Sequence, residues 1–85
     1  METFDYTVRA ENGIHARPAG LLVTHARNQT CRITIQCREK EADAKRLISV
    51  MGLGAMQGDL LRFTIEGDEE RSCRDSLMAF CQEHL

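Results

Sequence analysis

The chain has 85 residues, 42% of them hydrophobic and 28% charged, a globular composition with room for one domain spanning residues 1–85. With no Trp, one Tyr and three Phe its core is small and aliphatic, which excludes a multidomain enzyme, a repeat array or a large internal cofactor cage. The net charge of −2 argues against a nucleic-acid footprint, but residues 1–46 carry +2 (eight Lys/Arg, six Asp/Glu) and residues 47–85 carry −4 (three against seven), so the basic half suits an acidic partner.

Phe4, Tyr6 and Val8 alternate with Asp5, Thr7 and Arg9, which predicts a half-buried strand closed by Glu11-Asn12-Gly13. From about Arg17 the period changes, and Ala19, Leu22, Val23 and Ala26 mark one face of a helix that ends at Asn28-Gln29-Thr30. Cys31, Ile33, Ile35 and Cys37 form the inner row of a second strand. Arg38-Glu39-Lys40-Glu41 is read as a turn, and Ala42-Asp43-Ala44 as a short edge strand. Leu47, Ile48, Val50 and Met51 give a short apolar helix stopped by Gly52 and Gly54. Leu61, Phe63 and Ile65 alternate in a further strand. Beyond Gly67, the acidic Asp68-Glu69-Glu70 opens a helix carrying Cys73, Leu77, Phe80, Cys81 and His84. The order is β-α-β-β-α-β-α. Strands apolar on one face only predict an α+β open-faced sandwich, a four-stranded antiparallel sheet with three helices on one face.

Met1-Glu2-Thr3-Phe4-Asp5 lacks the apolar stretch of a signal peptide, and no apolar run reaches membrane-spanning length. The expectation is a cytoplasmic protein without membrane insertion and with reduced thiols. Cys31, Cys37, Cys73 and Cys81 show no zinc spacing and are read as small buried hydrophobes, so no metal and no cofactor is expected. His25 and His84 are read as surface residues.

The chemistry concentrates in Asn12-Gly13-Ile14-His15-Ala16-Arg17-Pro18-Ala19. Gly13 permits a sharp approach, and His15 falls at the start of the first helix, where free N–H groups and the dipole favour an anion. Pro18 fits a first helical turn. Ala16 carries no capping side chain, so the N–H groups of Ala16 and Arg17 stay open to a phosphoryl group on His15, and Arg17 adds a fork of donors. Such a site opposes a cationic imidazole and welcomes a phosphohistidine. On spacing alone, a histidine at a helix start is more often a solvated loop residue than a nucleophile.

Gly13-Ile14-His15-Ala16-Arg17-Pro18-Ala19, followed by Leu22-Val23, resembles the active-site signature of the histidine-containing phosphocarrier (HPr) family of the bacterial phosphoenolpyruvate:sugar phosphotransferase system. The likeness continues through Ala44-Lys45, Leu47-Ile48, Val50-Met51, Leu53-Gly54, Gly58-Asp59 and Ile65-Glu66-Gly67-Asp68-Glu69-Glu70, effectively the whole chain. It implies a monomeric phosphoryl carrier rather than an enzyme. His15 would be phosphorylated on Nδ1 by phospho-enzyme I and would pass the group to IIA domains of sugar permeases, with Arg17 assisting both transfers. By the same resemblance the docking surface comprises Ala16, Gly20, Thr24 and Arg27 with Leu47, Ile48 and Met51; from spacing alone Ile48 and Met51 are equally core or contact. Where the family typically carries a regulatory serine, this chain has Arg46. Ser49, one turn further on, does not inherit that role. The alternative is an HPr-like regulatory or binding module with no part in sugar transport.

Overall fold

The computed structural model describes residues 1–85, in the order β1 (Glu2–Thr7), α1 (Ala16–Arg27), β2 (Arg32–Cys37), β3 (Lys40–Asp43), α2 (Leu47–Gly52), β4 (Leu60–Glu66) and α3 (Glu70–His84). The strands form one sheet in the order β1-β4-β2-β3, and every neighbouring pair is antiparallel. This is the expected open-faced sandwich.

Alternation sets the two faces of the sheet. Ile33, Ile35, Cys37, Leu61, Phe63 and Ile65 are fully buried under the helices with Leu22, Ala26 and Leu77. Phe4 stacks on its cross-strand partner Phe63 at 4.7 Å between ring centroids. Their sequence neighbours turn outward, where Arg62 holds Asp5 through two hydrogen bonds of 2.9 and 3.2 Å. All four cysteines are buried, Cys31 and Cys37 in the inner row of the sheet and Cys73 and Cys81 on the inner face of α3.

The hairpin between β2 and β3 departs from the sequence reading. Cys37 pairs with Lys40, so the turn is only Arg38-Glu39, and the edge strand covers Lys40–Asp43 rather than Ala42-Asp43-Ala44. Arg38 adopts φ 55, a left-handed conformation usually left to Gly or Asn. Its side chain accounts for the exception. The guanidinium pairs with the Asp59 carboxylate and donates to the carbonyls of Leu53 and Gly54, both at 3.3 Å, placing a cation at the C-terminal end of α2.

Asp59 in turn accepts the Met56 N–H at 2.8 Å. That hydrogen bond and the Arg38 guanidinium hold its carboxyl below the usual carboxylate range. Because the folded value is depressed, its stabilisation is complete above the ordinary value of 3.8 and is lost as pH falls through the folded value. Asp59→Asn is therefore expected to lower Tm by about 5 °C at neutral pH, with the gap to the native chain narrowing below about pH 4. Thermal unfolding at pH 7 and pH 3 measures this.

His25 corrects another reading. It is half-buried between α1 and α3, with Nε2 3.1 Å from the Ser76 hydroxyl and its ring stacked on Phe80 at 4.8 Å. Burial, aided by nearby His84, pushes its pKa down. His84 is exposed and packs on the other side of Phe80. No helix is long and apolar enough to cross a membrane.

Candidate functional site

Residues 8–15 carry the chain from β1 to α1; Val8, Arg9 and Ala10 are tied by backbone hydrogen bonds to Asp59 and Leu85, and a close contact at Gly13-Ile14 fixes the end that precedes His15. Ile14 N–H donates to the Ala55 carbonyl at 2.9 Å, and Gly13 N–H donates back to Ala10 O at 2.9 Å. Gly13 sits at φ 66 against the same carbonyl, where a Cβ would lie 2.3 Å from Ala55 O and 2.8 Å from Met56 Cα. Only glycine fits there without moving backbone. The surface on the other side of this contact is the Ala55-Met56 segment braced by Asp59 and Arg38.

Ile14 and Pro18 are buried on either side of an exposed His15. Two apolar anchors thus hold the helix start while the imidazole stays in solvent. His15 is the N-cap of α1, with φ −90 and ψ −167, and its side chain makes no capping bond. The first helical hydrogen bond runs from Ala19 N–H to His15 O at 3.0 Å. The N–H groups of Ala16 and Arg17 precede it and Pro18 has none, leaving two donors at the positive end of the dipole. No acidic residue lies in this first turn. His15 Nδ1 is 3.4 Å from the Gly13 carbonyl, at the long limit of a hydrogen bond, so little energy ties the ring to that position. Arg17 is exposed next to it.

Of the other residues singled out from the sequence, Ala16, Thr24 and Arg27 are exposed on α1, with Gly20 half-buried between them. Arg27 Nε donates to the Lys45 carbonyl at 2.8 Å, and Lys45 Nζ donates to Gln29 O at 2.9 Å. These bonds fasten the end of α1 to the approach into α2. On α2 only Val50 is buried. Ile48 is 80% exposed, Met51 39% and Leu47 38%, so these three form a surface and not core. Leu21 and Met56 are exposed as well, and sequence reasoning did not single them out. An apolar methionine in a loop between Gly54 and Gly58 is the one signal that marked Met56. Arg46 caps α2 from the backbone only, and its side chain reaches Asp43 at 3.9 Å.

The fold and the site together define an open-faced sandwich that presents one exposed histidine at an uncapped helix N-terminus beside an apolar, basic-edged surface. The sequence pattern described as the PTS HPr component phosphorylation site matches residues 2–83. The phosphocarrier protein HPr of Lysinibacillus sphaericus is 36% identical over 83 residues, 98% of this chain and 94% of that one. A multiphosphoryl transfer protein of Haemophilus influenzae is 39% identical over 75 residues, which are 85% of this chain but only 15% of that longer protein. Among solved structures, HPr-C-His from Thermoanaerobacter tengcongensis superimposes with a TM-score of 0.92 at 28% identity, covering 99% of this chain and 94% of that one. The chain belongs to the HPr family of phosphocarrier proteins.

Proposed function

We propose that residues 1–85 act as a single carrier domain that accepts a phosphoryl group on His15 from phospho-enzyme I and delivers it to IIA domains of sugar permeases. One observation carries this reading: the exposed His15 imidazole stands at the start of α1, beside the N–H groups of Ala16 and Arg17 that no helical carbonyl can use. A neutral ring nitrogen attacks phosphorus, the N–P bond forms as the bond to the donor breaks, and the ring gains negative charge. The two N–H groups, the dipole and Arg17 stabilise that charge. No metal is needed for this step. The N–P bond is reactive enough to be transferred again, so the protein is consumed and regenerated rather than turning over a small substrate.

Leu47, Ile48 and Met51 beside Ala16, Gly20, Thr24 and Arg27 form the docking surface of this proposal, where an apolar centre meets a basic edge suited to an acidic partner. The expected result of incubating the phosphorylated chain with a IIA domain is quantitative passage of the label to that domain. Label that stays on this chain, with the IIA domain active toward another HPr, would refute the delivery half of the proposal.

Arg46 stands where the family typically has its regulatory serine, and its positive charge is the opposite of what a phosphoserine supplies. The chain is therefore expected to remain unmodified when incubated with ATP and an HPr kinase. Phosphate on the exposed Ser49, or on any other serine, would contradict this.

A further inference from the structure

We infer that Cys31 and Cys73 are a closable pair, a disulfide site that staples the start of β2 to the first turn of α3 at the end of the molecule away from His15. Cys73 Sγ lies 2.8 Å from Cys31 Sγ, within about 1 Å of a covalent S–S bond length. Three features bring the segments together. Gly67 passes over Cys31 so closely that a Cβ on it would sit 3.4 Å from Cys31 Cα. The Asp68 carbonyl accepts from the Cys31 thiol at 3.0 Å. Glu70 then holds the turn before α3 by accepting the Gly67 N–H at 3.1 Å. Cys37 instead directs its sulfur toward Asp59, 4.0 Å away, and Cys81 is buried further along α3.

Closure needs an oxidant, and a small-molecule disulfide is sufficient. One cysteine thiolate attacks a sulfur of oxidised glutathione, whose S–S bond breaks and expels one glutathione thiolate. The second cysteine, having lost its proton, attacks the protein-side sulfur of the mixed disulfide and expels the other. Two protein thiols are oxidised, one glutathione disulfide is reduced to two thiols, and the protons pass to those thiols. Both cysteines are buried, at 0% and 4% exposure, and burial with the neighbouring Cys73 pushes the Cys31 pKa up to about 11. Exchange in the folded state is consequently slow, and the bond closes readily during folding.

The pair is separated by 42 positions in sequence, so the closed loop contains β2, β3, α2 and β4. Constraining a loop of that size in the unfolded chain is expected to raise Tm by on the order of 10 °C. α1 runs from His15 toward Cys31 over 12 residues, roughly 18 Å, which keeps the staple clear of the imidazole.

The test is to refold the reduced full-length chain from urea in a glutathione redox buffer, where access does not limit the reaction. Intact mass, a non-reducing peptide map and thermal unfolding then follow. The expected product is lighter by two hydrogens, has Cys31 and Cys73 in one linked peptide pair, and shows the Tm rise, which dithiothreitol reverses. Cys31→Ala and Cys73→Ala are each expected to lose the link. Four free thiols after refolding, a link through Cys37 or Cys81, or an oxidised form with lower Tm than the reduced one would each overturn the inference.

Discussion

Replacing His15 with asparagine is expected to make the protein more stable and unable to accept phosphate. The histidine occupies an N-cap with extended backbone and makes no capping bond from its side chain. Asparagine is among the preferred residues there because its side-chain oxygen accepts an N–H from the first turn. The gain is about 1 kcal/mol, read as a Tm rise of about 5 °C. Acceptance of a phosphoryl group should fall by at least about 1,000-fold, because the amide offers no comparable nucleophile. Opposite movements of stability and transfer separate a residue kept for chemistry from one kept for the fold. Thermal unfolding and a phosphotransfer assay on the same preparation measure both. A variant that is less stable would show that the imidazole supports the helix; one that still takes phosphate would move the acceptor elsewhere.

Gly13→Ala is the second large effect, and here stability and transfer fall together. Alanine at φ 66 costs about 1–2 kcal/mol from its own backbone. Its Cβ also meets Ala55 O at 2.3 Å and Met56 Cα at 2.8 Å, and both are main-chain atoms that cannot swing aside. Relieving the clash lengthens the Ile14 N–H to Ala55 O bond and moves the residue that precedes His15. The total cost is about 3 kcal/mol, a Tm loss of more than about 10 °C. Displacing the imidazole is expected to slow phosphorylation by at least about 10-fold even at temperatures where the variant is folded. A Gly20→Ala control, whose added Cβ meets nothing within 4 Å, should raise helix stability by about 1 kcal/mol instead. Equal behaviour of the two variants would show that the contact with Ala55 does not position the loop.

The candidate site was legible because its parts are neighbours in sequence. Gly13, His15, Arg17 and Pro18 lie within one turn and one loop, so conformational preference and helix-end electrostatics act locally. Strands β1, β2 and β4 were legible for a similar reason: each row, such as Ile33, Ile35 and Cys37, repeats the two-residue period by itself. What escaped depends on residues far apart. The Arg38 turn contains neither Gly nor Asn, and its left-handed residue is held by Asp59, 21 positions away. His25 looks like a surface residue until Ser76 and Phe80 of α3 pack against it. The approach of Cys31 to Cys73 depends on how α3 returns across the sheet. In α2, six residues give too short a period to separate a core face from an exposed face, and the structure places Ile48 and Met51 on the surface.

The most direct measurement is intact mass after incubation with phosphoenolpyruvate and enzyme I, with His15→Asn alongside. The expected result is a single acid-labile phosphoryl group on the native chain, mapped to His15, and none on the variant. No modification of the folded native chain, with the same enzyme I active on another HPr, would contradict the carrier reading.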